Sequence, residues 1–442
     1  MRFDLAVIGG GPAGYTAAVR AAKRGMSVLL AESGEIGGTC LNRGCIPTKC
    51  LLRSSELFAS RSEWETLGIR ADNVVFDEPS VYARKDAIVS SLRGGIETLL
   101  KGCAVTTVKA RARIAGESRV AVDGETVEAA NILIATGSRP AALPVKGGEY
   151  ALNSDGVLAA PLGADEVVII GGGVVGCELA CYYADTGRKV TVVEAAERIL
   201  PMFSKDISVR LASALGKRGV TFDCSAKVTE IFRDGVAYTA KNGAEKRAGG
   251  AVVVAAGRRA NTENAGLETV GLAVGGKIVT DAFMRTSADG IYAAGDARDG
   301  IQLAHYAAAC AVNAVENMCG TEEYADLSVV PSLVYTDPEI AVVGDLTRGV
   351  KSGKFMLGAN GKSVINGSNA GFIRVLCDEN DVIVAAELMG RGVTETVSEL
   401  ALAIKCGLTA KQIAATVHAH PTVYESAAEA CEDIFGLATH KK

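Results

Sequence analysis

The chain has 442 residues, a net charge of −5, 48% hydrophobic residues and a single Trp. The length implies about three domains and the apolar fraction supplies a sizeable core, while the acidic balance and the lack of a basic, aromatic-interleaved stripe argue against nucleic acid as a partner. No apolar run reaches the roughly 18–20 residues of a membrane helix, no secretory leader precedes the first strand, and twelve cysteines in such a chain point to a reducing, cytoplasmic setting.

In chain order, strand-like residues 5–8 run into Gly9-Gly10-Gly11-Pro12-Ala13-Gly14. A helical stretch follows to about Arg24, then a second strand, 27–31, ends at Glu32. Such glycines permit a tight turn and let a pyrophosphate approach the helix N-terminus, and an acid after the second strand accepts hydrogen bonds from a ribose diol. Directly downstream, residues 37–49 (GGTCLNRGCIPTK) set Cys40 and Cys45 five residues apart. Two thiols so close open and close as a disulfide beside whatever the loop holds. Pro47 suits the first turn of a helix, where its missing N–H has no partner anyway. Cys45 then sits at the helix N-terminus, where free N–H groups and the macrodipole favour a thiolate. A metal site needs a second cysteine pair or histidines at ligand spacing; none follows, and no metal is expected. Cys103, Cys177, Cys181, Cys224, Cys310, Cys319, Cys377, Cys406 and Cys431 stand in apolar settings and read as small core residues.

The nucleotide device recurs. Strand-like 167–170 leads into Gly171-Gly172-Gly173-Val174-Val175-Gly176, a helix to Thr186, a strand over 190–193 and Glu194. Glu32 and Glu194 each lie 18 residues past the last glycine of their loop. One such loop carries little weight; two in register, each with strand, helix and acid, carry much. A carboxylate at Glu194 repels a 2′-phosphate, and Arg198 alone does not build a phosphate site, so the second loop favours NAD over NADP. The first loop, next to the cysteines, is expected to hold FAD. Two dinucleotides and a cysteine pair suggest an electron relay from one to the other.

Disulfide exchange consumes a thiolate, so a base must take the thiol proton. His titrates near neutrality, and the chain has four. His440 lies in a C-terminal tail and reads as solvated, and His305 lies in a helical apolar run. His418 and His420 compete for the role, with Pro421 fixing the backbone after His420. Glu425 reads either as orienting His420 or as completing a Thr422-x-x-Glu425 capping box for the final helix. Lys49 and Glu178, near the starts of two helices beside the two loops, read as an ion pair or as separate surface charges.

These motifs, with ATGSRP at 135–140, GRRANT at 257–262, IYAAGD at 291–296, YTDPEIAVVG at 335–344 and HAHPTVYES at 418–426, together resemble the pyridine nucleotide–disulfide oxidoreductases over nearly the whole length. Within that family the resemblance is greatest to the members that oxidise dihydrolipoamide. It implies an α/β fold with two Rossmann-like dinucleotide-binding domains plus a C-terminal α+β interface domain. Cys45 is similar to the thiolate that lies against the flavin, Cys40 to the interchange thiol, and Lys49 with Glu178 to the ion pair beside the flavin. His420 resembles the acid/base, oriented by Glu425 and supplied in the family by the other subunit. Flavin contacts are implied at Gly9, Gly11, Pro12, Ala13, Gly14, Glu32, Ser33, Gly38, Thr39, Cys40, Lys49, Ala112, Thr136, Gly137, Gly295, Asp296, Leu303, Ala304 and His305. NAD contacts are implied at Gly171, Gly173, Val174, Val175, Gly176, Glu178, Glu194, Val228, Ala256 and Gly257. The implied activity is oxidation of protein-bound dihydrolipoamide with NAD, by a homodimer serving a lipoyl-bearing protein of a multienzyme complex. The alternative is an NAD(P)H-dependent reductase of another disulfide, glutathione-like or on a small protein.

The chain departs from the family pattern at Thr48, which replaces a common Ser and is expected to be neutral, and in three places of more consequence. Segment 345–354 lacks most of a helix, Ala260 stands where Pro is usual, and the run 306–311 lacks the usual Glu-Gly. The expected domains are 1–144 (FAD), 145–262 (NAD), 263–327 (a return segment completing the flavin site) and 328–442 (interface). No low-complexity linker parts them, so one packed body is expected.

Overall fold

The computed structural model describes residues 2–322 and 325–441. Its two nucleotide-type sheets follow directly from apolar runs that are buried on both faces, the mark of parallel strands sandwiched between helices. In the first, strand Arg2–Ile8 lies between Val28–Ala31 and Glu125–Ile134, with Leu5 opposite both Val28 and Asn131. Thr106–Val108 extends one edge, and Ile291–Ala293 pairs with Glu125–Ile134 on the other side. In the second, Glu166–Ile170 lies between Lys189–Val193 and Ala251–Val254, flanked by Val220–Asp223 and Leu152–Asn153, all parallel. Each unit also carries antiparallel strands: Ala112–Ile114 and Arg119–Val122 on the first, Lys227–Phe232, Gly235–Thr239 and Glu245–Gly249 on the second.

The glycine loops occupy equivalent places, leaving the carboxyl end of the central strand and opening helices Pro12–Lys23 and Val174–Asp185. Pro12–Lys23 buries Ala13, Ala17, Ala18 and Ala21 against Ala307, Cys310, Ala311 and Ala314 of helix Ala304–Met318. Small side chains on both sides let these helices approach closely, which brings the return segment onto the first loop.

The third sheet is antiparallel, in the order Ser332–Val334, Ile340–Gly344, Ile383–Met389, Phe372–Cys377, Lys351–Met356. Between Ile340–Gly344 and Lys351–Met356 only a 3-10 turn, Leu346–Arg348, is present, so the shortened 345–354 segment holds no α-helix. One hydrophobic core joins Leu51, Leu52 and Tyr82, on helices Cys45–Ala59 and Glu78–Gly102 of the first unit, to Val167, Ile169 and Tyr182 of the second and to Val334, Ile340, Phe372 and Met389 of the third sheet.

Two sequence expectations need correction. Cys406 is exposed rather than buried, because it follows helix Val393–Lys405 at its solvent end. His440 is exposed but not free: its Nδ1 lies 2.6 Å from Glu429 Oε1, which raises its pKa and folds the tail back onto helix Glu425–Asp433. Among the described residues no helix is long and apolar enough to cross a membrane.

Candidate active site

The two glycine loops repeat the same contacts. Gly9 and Gly171 take φ of +106° and +110°, and a Cβ there would stand 2.3 Å from Ala135 O and 2.5 Å from Ala255 O. A Cβ on Gly14 or Gly176 would strike the carbonyl of Gly9 or Gly171, at 1.8 and 1.9 Å. The acids repeat too. Glu32 accepts from the N–H groups of Gly10 and Gly34, both at 2.6 Å. Glu194 accepts from Gly172 at 2.5 Å and Ala196 at 2.6 Å. Each carboxylate is thus held at its loop by two backbone donors.

The glycines that cap the two helices differ in kind from these. At Gly11 a Cβ would meet nothing nearer than Gly38 Cα at 3.9 Å, and at Gly173 nothing within 4 Å. Protein packing does not demand glycine at either place. A pyrophosphate lying against the helix N-terminus does, so the residues present fit a dinucleotide at each loop.

Cys40 lies in the short helix Gly38–Arg43, and Cys45 is the first residue of helix Cys45–Ala59, with Pro47 in its first turn. Both stand as free thiols. The hydrogen bond from Cys40 is the largest influence on Cys45 and, with the Lys49 ammonium, outweighs burial to bring its pKa down to about 7. Cys40 moves the opposite way, raised first by that same hydrogen bond and then by burial. The pair therefore favours the proton on Cys40 and the thiolate on Cys45. Tyr15 stands beside them; burial first and Cys40 second push its phenol up.

Lys49 Nζ donates to both oxygens of Glu178, at 3.0 and 2.8 Å. Burial works to lower the lysine's pKa, but Glu178, with Cys45 and Tyr335, outweighs it and the net shift is upward. Lys49 is on the cysteine helix and Glu178 on the helix that the second loop opens, so this ion pair bridges the cysteines and the second loop. Tyr335 of the third sheet's domain completes it: its N–H donates to Glu178 Oε1 at 2.9 Å and its ring lies 4.7 Å from Lys49 Nζ.

Around the first loop, Ser33 follows Glu32, and Thr39 belongs to the Cys40 helix. Thr136 Oγ1 donates to Asn261 O beside Gly137. Gly295 and Asp296 form a 3-10 turn, Leu303 caps helix Ala304–Met318, and Ala304 and His305 begin it. Asp296 accepts from Ser138 Oγ at 2.6 Å, and Arg258 Nε donates to that hydroxyl at 2.7 Å. The side chains of Ala112 and Val228 are buried in the cores under the two units, so only their backbones are free to face a ligand. Beside the second loop, Val174 and Val175 begin the helix, and Ala256 and Gly257 follow strand Ala251–Val254.

The histidines separate cleanly. His418 is half-buried, its side chain 8% exposed, with Nε2 2.9 Å from Glu399 Oε1 and Nδ1 2.9 Å from Thr416 O. His420 has a side chain 78% exposed; Nδ1 lies 2.8 Å from Glu425 Oε1, and Nε2 makes no hydrogen bond among the described residues. Glu425 spends its other oxygen on Thr422 N–H at 2.9 Å. Burial raises this carboxyl, but Thr422 and His420 together hold it below its ordinary value. The capping box is therefore half made: Thr422 Oγ1 donates to Ala419 O, and Tyr424 caps the final helix. Within one chain no hydrogen bond or ion pair joins His420 to Cys40, Cys45 or Lys49.

Sequence reasoning missed Ser138, Arg258, Tyr335 and Glu399 as supports. Ser138, Arg258 and Tyr335 lie inside family motifs, which was the only signal; Glu399 carried none, because its contact with His418 is long-range.

Comparison with known proteins places the chain. A family model described as pyridine nucleotide-disulphide oxidoreductase matches residues 3–311, and that family's dimerisation domain matches 330–431. The dihydrolipoyl dehydrogenase of Geobacillus stearothermophilus is 38% identical over 99% of this chain and 97% of its own length. That of Chlamydia muridarum is 38% identical over 97% and 96%. The crystal structure of LpdA from Mycobacterium tuberculosis superposes with a TM-score of 0.89 at 27% identity, covering 98% of this chain and 99% of that one.

Proposed function

This chain belongs to the pyridine nucleotide-disulphide oxidoreductase family, and from that premise we propose that it oxidises the dihydrolipoyl group of a multienzyme-complex protein to the lipoyl disulfide, with FAD at the first loop, NAD+ at the second and a homodimer as the active unit. The observation that carries this reading is the Lys49–Glu178 pair, which ties the cysteine helix to the second loop's helix. The names of the relatives favour the dihydrolipoyl group over other disulfides. Glu194, held by Gly172 and Ala196, favours NAD+ because a 2′-phosphate would meet its carboxylate. The exposed, unengaged Nε2 of His420 supports a dimer in which the site is completed across the interface.

When bound, FAD supplies the two-electron relay between the cysteine pair and the nicotinamide. Turnover starts from the Cys40–Cys45 disulfide. The first substrate thiol loses its proton and attacks Cys40 Sγ as the thiolate, the Cys40–Cys45 bond breaks, and Cys45 leaves as the thiolate that the Lys49 ammonium favours. His420 of the partner subunit takes the second substrate thiol's proton at Nε2, with Glu425 fixing the ring through Nδ1. The second sulfur closes on the first and Cys40 is released. NAD+ takes the electron pair with one proton as a hydride, and the other proton goes to solvent. Anaerobic incubation of the purified yellow protein with dihydrolipoamide and NAD+ is the test. NADH should accumulate; no NADH, with turnover of glutathione disulfide or another disulfide instead, removes the reading.

A further inference from the structure

The segment 416–424 that presents His420 has little regular structure of its own, so its position must come from outside it. Upstream it is held by His418, between Thr416 O and Glu399. Downstream, Thr422 O lies just before the final helix, whose early N–H groups bond instead to Val423 O and Tyr424 O. Among the described residues the only donor to Thr422 O is Asn360 Nδ2, at 2.9 Å. Asn360 is 5% exposed. Its Oδ1 accepts from Ser363 N–H at 2.9 Å, capping helix Gly361–Ile365. Its backbone N–H donates to Leu357 O, and Leu357 N–H donates to Gly371 O at the edge of the antiparallel sheet. Leu357 and Val423 also share one hydrophobic core.

We propose that Asn360 is a positioning residue for the acid/base: it pins the carbonyl of Thr422 to the sheet, and Thr422 N–H in turn fixes Glu425, which orients His420. This rests on the reading of His420 given above. The side chain has two separable jobs. Its oxygen caps a helix, and Asp or Ser does that equally well. Its amide N–H groups hold Thr422, and neither Asp nor Ser replaces that bond.

Asn360→Asp and Asn360→Ser therefore test the tether while keeping the cap; the Ser variant does so without adding charge. In both, kcat for dihydrolipoamide and NAD+ should fall roughly tenfold or more, with KM within about twofold. NADH-driven reduction of ferricyanide, an outer-sphere acceptor that needs no disulfide exchange, should stay within about twofold. In protein labelled with carbon-13 histidine, the His420 ring resonance should move while that of His418 stays. A kcat within twofold of the parent, or an equal fall in both activities, overturns the proposal. If the parent protein itself makes no NADH from dihydrolipoamide, the functional reading fails. The histidine spectrum then decides the positioning alone: a moved His420 signal supports it and an unmoved one overturns it.

Discussion

At the first glycine loop, the Cys40 helix presses in so closely that a Cβ on Gly38 would stand 2.6 Å from Gly11 Cα, and one on Gly295 would lie 3.3 Å from Ala13 Cβ. At the second loop no helix among the described residues packs against the cap glycine in this way: a Cβ on Gly173 would meet nothing within 4 Å, and Val175 is 40% exposed. The loops themselves are nearly identical, down to the paired backbone donors on Glu32 and Glu194. The same local device thus stands in two different surroundings. An enclosed loop suits a resident carrier, and an open one suits a nucleotide that must arrive and leave each cycle.

The sharpest way to break that comparison is to remove what only the first loop has beside it. Cys45→Ser should cut dihydrolipoamide turnover at least about a thousandfold. Flavin should stay bound, and the long-wavelength absorption of the two-electron-reduced protein should vanish. Retained turnover would show that the cysteine pair is not the electron path.

Next come the cap glycines. Gly173→Ala places a methyl where no protein atom is near, so the melting temperature should hold within about 2 °C while KM for NAD+ rises about tenfold, near 1.4 kcal/mol. Gly11→Ala should instead lower the flavin content of the purified protein. Gly176→Ala, whose Cβ would strike Gly171 O at 1.9 Å, should destabilise the fold itself. Unchanged NAD+ kinetics in Gly173→Ala would mean that no phosphate lies there.

A smaller effect is expected from Glu194→Gln. It keeps an acceptor for one loop N–H but loses the charge, so KM for NAD+ should rise a few-fold and the preference over NADP+ should narrow. Glu32→Gln should leave both unaffected.

The mildest dependence is on pH. Cys45 is lowered from 9.0 to about 7, so its thiolate predominates above pH 7 and is lost as the pH falls below it. Iodoacetamide labelling of the reduced protein should therefore rise through a midpoint near 7. In Cys40→Ala, which removes the largest lowering influence, that midpoint should move upward; an unmoved midpoint would place the cause elsewhere.

Much of the architecture was legible in the chain because its signals are local. The parallel strands announce themselves as apolar runs, the loops as glycine patterns at a fixed distance from Glu32 and Glu194, and the start of the cysteine helix as Pro47. What stayed ambiguous were pairs whose partners are far apart in sequence. Lys49 and Glu178 are separated by 129 positions, and Tyr335 by 157 from Glu178. His418 and His420 are two residues apart with similar local sequence, and only their surroundings tell them apart: the His418 side chain is packed away against Glu399, and that of His420 is exposed beside Glu425.

Spacing and residue type alone established two dinucleotide devices, a cysteine pair able to cycle and the motifs of one family, since backbone turns and helix starts depend on neighbours within a few residues. Tertiary packing alone decided which loop is closed and which open, that Lys49 bridges the cysteines to the second loop, and that Asn360 reaches Thr422. Those outcomes depend on how helices and sheets dock, and docking is set by the summed burial of many side chains, which no short stretch of chain encodes.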